Sequence, residues 1–346
     1  MRFLDNSNFL IYKLSDLSEK ICSGKDKIVE NNNGEYPIYG STGCIGYSPN
    51  YSYKGKKILV ARVGAHAGYC YLVNGHYSVT DNTLIISPLN SDLFEYLFYC
   101  IVSKQLHKLS FGSGQPLVTG SQLSSLKVSI PQNNEEMNRV ANLMKLLDER
   151  IDTQNKIIEE KNTLFRSLCQ TMFLNKEMNH MLRDICTINK GQQINNEFLL
   201  EKGEFAFING GITASGYFDK FNRAANTITI SEGGNSCGFV NFNHEPIWAG
   251  GHCYSMDNIS ISVNKDYLFY YLKYKEKEIM KLRVGTGLPN IQKSDLLNFR
   301  IYLPSIEEQN KIATIFNSLF ESMNYNNLLL EKYKLQKEYL LKNLFI

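Results

Sequence analysis

Ser305-Ile306-Glu307-Glu308-Gln309-Asn310-Lys311-Ile312-Ala313, directly after Pro304, opens a stretch that runs to Phe345 without a glycine or proline. Ser305 followed three residues later by Glu308 is a capping box, in which each side chain satisfies a backbone N–H left over at a helix start. Behind the cap the residues alternate in steps of four and three: Ile312, Phe316, Leu319, Met323, Asn326, Leu330, Tyr333, Lys337, Leu340, Leu344. A seven-residue repeat sustained this long predicts a coiled-coil seam rather than an ordinary surface helix.

The same pattern stands 172 residues earlier, member for member: Val140, Met144, Leu147, Ile151, Gln154, Ile158, Lys161, Phe165, Leu168, Met172. Glycine and proline are absent from Glu135 to Phe173, and Asn133 with Glu136 forms a near relative of the capping box. At about 1.5 Å per residue each helix is about 55–60 Å long. Gln154 and Asn326 interrupt the two seams at equivalent places. Buried amides in such seams fix register at some cost in stability; an amide at a wet edge does neither, and spacing alone leaves both readings open. The nearest partner for each helix is the other. Antiparallel pairing relates the two globules by a pseudo-twofold axis and makes the helices a spacer.

The repeat extends beyond the helices. Phe111-Gly112-Ser113-Gly114-Gln115-Pro116 is answered 173 residues on by Val284-Gly285-Thr286-Gly287-Leu288-Pro289, and Pro131 by Pro304. Ile58-Leu59-Val60 with Gly64 and Gly68 matches Ile228-Thr229-Ile230 with Gly234 and Gly238 at an offset of 170. Gly34-Glu35-Tyr36 matches Gly203-Glu204-Phe205 at 169. Each half opens with short β-type runs bounded by Gly, Asn and Ser, namely KKILVAR, NTLIIS, NTITI and NISISV. A helix follows, around Asp92–Leu109 and Asp266–Leu282, then the Gly-x-Gly loop, a short strand, the proline and the long helix. The expected fold class is α+β, with two similar mixed α/β domains separated by an antiparallel coiled coil. The boundaries are 1–132 for the first domain, 133–176 for the first long helix, 177–304 for the second domain and 305–346 for the second helix.

Composition fits this division. The chain has 346 residues, 43% hydrophobic and 21% charged, enough for two domains with a core in each. The N-terminus, MRFLDNSNFL, does not read as a signal peptide, and the most apolar run, FEYLFYCIV, is too short to span a bilayer. The eight cysteines form no Cys-x-x-Cys pair or zinc-ligand spacing, and read as buried or half-buried free thiols of a cytoplasmic protein. A net charge of +3 permits nucleic-acid binding without arguing for it.

Motifs for chemistry are missing. Gly55-Lys56-Lys57 lacks the earlier glycine and the hydroxyl of a phosphate loop. No Asn-Pro-Pro-Tyr or Asp-Pro-Pro-Tyr segment of an amino-methyltransferase is present. Neither Gly-x-Gly loop follows a strand and opens a helix as a dinucleotide fingerprint does, so both read as turns. His66 and His252 lie in glycine-rich loops with no nucleophile or carboxylate recurring in both halves, and His252 aligns with Asn82. Asp81 aligns with Gly251 and Glu232 with Arg62, which argues against paired-carboxylate hydrolysis.

The Gly-x-Gly-x-Pro loop, the strand ending in proline and the acidic cap (Glu135-Glu136; Glu307-Glu308-Gln309) leading into a long helix together resemble type I restriction-modification specificity subunits. The pattern occurs twice and covers essentially the whole chain; residues 305–313 are its most typical segment, and Met137 stands where Gln309 does in the second half. The resemblance implies that each globule is a target recognition domain reading one half of a bipartite double-stranded DNA site. It also implies that the helix pair sets the unread spacer and docks two methyltransferase (modification) subunits, restriction subunits completing the complex. Methylation and ATP-driven cleavage would belong to those partners, with S-adenosylmethionine, ATP and Mg2+, leaving this chain non-catalytic, without a cofactor and with no membrane partner. Related multi-subunit type II enzymes that cut on both sides of their site share the pattern. A coiled-coil scaffold joining two protein-binding globules is the alternative from another class.

DNA affinity needs cations aimed at phosphates, and specificity needs polar side chains at base edges. The basic residues of the first half gather at Lys54, Lys56, Lys57, Arg62, Lys104 and Lys108; those of the second at Lys273, Lys275, Lys277, Lys281 and Arg283, with Arg223 apart. Both later clusters run into the Gly-x-Gly loop, so Lys104, Lys108, Lys281 and Arg283 are expected at phosphates, and Ser113, Gln115, Thr286 and Asn290 near the groove. The halves differ most at Arg62-Val63-Gly64-Ala65-His66 against Glu232-Gly233-Gly234-Asn235-Ser236. His66, Asn235 and His252 therefore join the candidates.

Overall fold

The computed structural model describes residues 9–27, 34–109, 116–285, 287 and 289–345. It divides into unit 1, Met1–Asn155 with Leu328–Ile346, and unit 2, Lys156–Asn327. In chain order the first half carries β1 (Phe9–Lys13), β2 (Ser18–Ser23), β3 (Tyr36–Gly40), β4 (Gly43–Ser48), β5 (Tyr53–Lys54), β6 (Lys57–Ala61), β7 (Cys70–Val73), β8 (His76–Val79) and β9 (Thr83–Pro88). Then come α1 (Phe94–Ser103), α2 (Gly120–Ser125), β10 (Lys127–Pro131) and the long α3 (Asn134–Phe173). β2-β9-β6-β7 form an antiparallel sheet; β4-β3-β8-β5 form a second, in which β3 and β8 run parallel; β1 pairs with β10.

The second half repeats this order with β11 (His180–Met181), α4 (Leu182–Ile185), β12 (Thr187–Lys190), β13 (Phe205–Ile208), β14 (Gly216–Phe218), β15 (Thr227–Ser231), β16 (Val240–Asn243), β17 (Ile247–Ala249) and β18 (Cys253–Asp257). It ends in α5 (Lys265–Tyr274), α6 (Glu276–Met280), α7 (Lys293–Leu297), β19 (Arg300–Ile301) and the long α8 (Ile306–Leu344). The sheets are β12-β18-β15-β16 and β14-β13-β17, the latter with β13 and β17 parallel. These are the orders of the first unit, except that an isolated bridge between Arg223 and Ile247 stands in the place of β5.

The period-2 pattern of the central strands explains the layering. Ile58, Val60, Leu84 and Ile86 face α1 and the long helices in one core, while Leu59 and Ile85 face Val73, Tyr77 and Val79 in another. In unit 2, Ile228, Ile230, Tyr254 and Met256 take the helix side. Their neighbours Thr229 and Ser255 are buried on the other, with Asn243 Nδ2 donating to Thr229 Oγ1 at 3.0 Å.

Both caps form. Asn133 Oδ1 accepts from the Glu135 N–H at 2.9 Å, and Ser305 Oγ from the Glu308 N–H at 3.3 Å. The first half of α3 shares unit 1 with the end of α8, and its second half shares unit 2 with the start of α8, the pairing antiparallel helices produce. Asp148 is ion-paired with Lys337 in unit 1; Lys161 Nζ donates to Ser322 Oγ at 2.8 Å and Phe165 meets Phe316 at 5.4 Å in unit 2. The seam positions hold. Val140, Met144, Leu147, Ile312 and Phe316 are buried, and Ile151, Ile158, Leu319, Met323 and Leu330 half-buried. Gln154 is buried in unit 1, whereas Asn326 is half-buried in unit 2 with its Nδ2 donating to the Ser322 carbonyl one turn back in its own helix. The seams are also continuous with the domain cores: Val140, Met144 and Leu147 share a cluster with Ile58, Tyr96 and Leu344.

Three expectations are corrected. The helices expected over Asp92–Leu109 and Asp266–Leu282 each break. Gln105 adopts φ 49 after α1, and Lys275, with φ −84 and ψ 5, separates α5 from α6. NISISV is not a strand: β18 ends at Asp257, Asn258 takes φ 50, and Ile261 is fully exposed. Its alternation mimics a strand, but Ser260 accepts the Val263 N–H and turns the chain into α5. All eight cysteines are free; seven are buried or half-buried and Cys44 is exposed, against the expectation for that one. Among the described residues no helix is long and apolar enough to cross a membrane.

Candidate nucleic-acid interface

The central strand of each unit ends in a glycine-rich loop held by the same hydrogen bonds. Arg62, after β6, donates its N–H to the Asn82 carbonyl, and Glu232, after β15, to that of His252, both at 2.9 Å. Gly64 donates to Pro116 and Gly234 to Pro289, both at 3.1 Å; the Arg62 and Glu232 carbonyls accept from Val118 and Ile291. Each loop is thus clamped between the outgoing arm of the Gly-x-Gly-x-Pro segment and the turn before β9 or β18. Gly68 and Gly238 close the loops at φ 91, and a Cβ there would lie 2.3 Å from His107 N and 2.9 Å from Met280 Cα. Only glycine fits such a close approach with positive φ.

In unit 1 the clamped loop carries both Arg62 and His66. His66 is exposed and meets Tyr69 edge-on at 5.4 Å; Arg62 is half-buried, its Nη1 3.4 Å from Ser23 Oγ. Lys104 is half-buried just past α1, and Lys108 is exposed on the 3-10 turn Leu106–Leu109 that packs under Gly68. Ser113 and Gln115 lie outside the described residues. Lys54, Lys56 and Lys57 are not part of this grouping. Lys57 opens β6 and Arg62 follows its last residue, about 17 Å apart at about 3.3 Å per residue. Lys54 is paired in register with His76, and Lys56 is bound to Glu95 at 3.0 Å.

In unit 2, Asn235, His252, Arg283 and Asn290 are exposed around the loop. Asn290 bridges Gly233 and closes a small hairpin with Val284, which sets Arg283 beside Cys237. Lys281 is exposed immediately after α6; Thr286 lies outside the described residues. Arg223 stands apart, bound to Ser255 Oγ at 2.5 Å, Asp257 at 3.3 Å and the Asn222 carbonyl at 2.7 Å. Lys273 and Lys275 are taken up by Glu276 and Glu278.

The sequence reading missed one polar cluster. Lys190 Nζ lies 2.6 Å from Glu232 Oε1, which also accepts from Tyr254 Oη at 3.1 Å, while His252 Nδ1 stands 3.7 Å from Oε2. Burial, with the Glu232 carboxylate beside it, pushes the Tyr254 phenol up to about 12. Lys190 ends a short edge strand with no basic neighbour, and its pairing with Glu232 depends on the β12-β18-β15 order, which no local pattern encodes.

The fold and this site together define a class: a duplicated mixed α/β reader whose two loop clusters share one scaffold and differ in side chains. Residues 6–161 and 176–332 each match the type I restriction modification DNA specificity domain, and the chain belongs to that family. A Mycoplasma genitalium protein assigned as a type I specificity subunit is 23% identical over 311 residues, covering 84% of this chain and 81% of that protein. A type I restriction enzyme specificity subunit of Methanocaldococcus jannaschii is 24% identical over 307 residues, covering 76% and 72%. In fold the chain is similar to the crystal structure of a type I system S subunit from Mycoplasma genitalium, with TM-score 0.82 and 21% identity over 100% of this chain and 98% of that one.

Proposed function

We propose that this chain is the DNA specificity subunit of a type I restriction-modification system, each unit reading one half of a bipartite double-stranded site. The duplicated loop clamp carries the reading: identical backbone hydrogen bonds present Arg62 and His66 in one unit, and Glu232, Asn235 and His252 in the other. A common scaffold with unlike side chains is what two half-sites of different sequence require. Lys104, Lys108, Lys281 and Arg283 would contact phosphates, with Asn290 and the Gly-x-Gly segments at the groove. Arg223 is withdrawn from this set, its Nε and Nη1 being engaged within unit 2.

The helix pair sets the spacer and docks two modification subunits, and restriction subunits complete the assembly in the cytoplasm. S-adenosylmethionine, ATP and Mg2+ act on those partners, and this chain contributes recognition rather than catalysis. The test is to co-express the chain with its modification subunit in a host lacking other DNA methylation and to map modified bases genome-wide. A two-part motif with a fixed gap is expected; modification without sequence preference would end this reading.

A further inference from the structure

The loop residues Arg62 and Glu232 occupy one position of the fold, and so do Ser23 and Lys190: Ser23 registers against Leu84 and Lys190 against Tyr254, on equivalent strands. In unit 1 the cation follows the central strand and reaches across β9 to Ser23. In unit 2 the cation ends the edge strand and reaches across β18 to the Glu232 carboxylate. Each unit therefore sets one basic head at the same place, delivered from opposite sides.

Neither arrangement is complete among the described residues. Arg62 Nε and Glu232 Oε2 are both buried with no hydrogen-bond partner among those residues, whereas buried polar groups are ordinarily paired. The Glu232 side chain is 10% exposed beneath Lys190 at 52% and His252 at 65%. A buried carboxylate under exposed donors fixes where they point. Of the three donors on an ammonium, Lys190 uses one on Glu232.

We propose that this position determines one base in each half-site: Arg62 in unit 1 and Lys190 in unit 2 present donors to a guanine, with Glu232 as the residue that positions Lys190. The assignment rests on the reading of the chain as a DNA specificity subunit. Arg and Lys match the O6 and N7 acceptors of guanine, whereas Gln matches adenine. The opposite route of each cation means that Arg62 reads directly and Lys190 reads only while its carboxylate holds it.

The experiment is methylated-base mapping of genomic DNA with the full chain and its modification subunit, for the wild type and for Arg62→Gln, Lys190→Gln and Glu232→Gln. Arg62→Gln should turn guanine to adenine at one position of one half and leave the other half unchanged. Lys190→Gln should do the same in the other half, and Glu232→Gln should relax that same position, each with about ten- to a hundred-fold loss of discrimination. A purely structural role would lower modification everywhere without altering base choice, so an unaltered motif in the first two variants overturns the proposal. Should a variant modify nothing, the wild type decides: 7-deazaguanine placed at each half-site guanine removes N7 and should cut modification about ten-fold at one guanine per half. Insensitivity at every guanine overturns the proposal equally. A wild type with no motif at all would instead refute the specificity-subunit reading beneath it.

Discussion

Phe316→Ala asks whether the long helices are part of the domain cores or only a spacer. Phe316 is wholly buried, its ring 5.4 Å from Phe165, 5.8 Å from Phe173 and 5.0 Å from Tyr270. Truncating a buried phenylalanine removes its transfer free energy and leaves a cavity, about 3–5 kcal/mol together. Three ring partners, each contributing about 0.5–1.5 kcal/mol beyond area, place the expected loss toward the upper end. The seam counterpart Met144 is also wholly buried, in unit 1, and Met144→Ala should cost about 2–5 kcal/mol there. Native-state hydrogen exchange reads the units separately through the amides of β15 and β6. Phe316→Ala should lower the opening free energy at Ile228 and Ile230 by about 4 kcal/mol, and Met144→Ala should act on Ile58 and Val60. A loss under about 1 kcal/mol at β15 would show that the seam stands off the core, and the continuity described here would be wrong.

Gly68→Ala should lower the melting temperature by more than Gly75→Ala, since both have positive φ but only Gly68 has backbone within 2.3 Å of the new Cβ. Equal melting temperatures would show that loop packing on the 3-10 turn is immaterial. Burial pushes the thiols of Cys70, Cys100, Cys169, Cys186 and Cys253 up to about 12 from 9.0. The folded chain keeps these protons where the unfolded chain sheds them, so stability is full below pH 9 and should fall as pH rises from about 9 to 12. A urea midpoint at pH 10.5 no lower than at pH 7 would contradict this. Replacing Lys281 and Arg283 with alanine should weaken DNA binding and reduce the salt slope by about two, at about 0.9 per phosphate contact. An unchanged slope would remove both from the interface.

Much of this architecture was legible in the sequence because it rests on periodicity. The helices follow from a seven-residue repeat and caps, and β6, β9 and β15 from β-branched runs. NISISV failed because alternation of Ile with Ser reports a possible strand face without reporting whether that face has a partner; the chain turns at Asn258 instead. The offsets between halves aligned Arg62 with Glu232 and Asn82 with His252, and the backbone bonds bear out both pairs. Arg223 looked like a free cation because Ser255 and Asp257 come to it from a distant strand. Lys190 went unnoticed for the same reason in reverse. Side-chain partners set by sheet order are non-local, and spacing along the chain carries no record of them.

The two halves also show which parts of the fold tolerate change. On the helix side of the central strands, Ile58, Val60, Leu84 and Ile86 are replaced by Ile228, Ile230, Tyr254 and Met256, all buried in the core that includes the long helices. On the opposite side, Leu59, Ile85 and Tyr53 give way to Thr229, Ser255 and Arg223, so an apolar layer becomes a hydrogen-bonded one. A packed core resists changes of volume or polarity, whereas a polar layer is acceptable once its members are satisfied, as Asn243, Ser255 and Asp257 satisfy theirs. The middle of the helix side therefore stays apolar in both units, whereas the opposite layer changes character. Positions 62, 190 and 232 lie at the strand ends of the helix-side face, where Tyr254, in place of Leu84, reaches Glu232 at 3.1 Å, so a new base can be read by changing side chains at that end while the seam that sets the helices stays as it is.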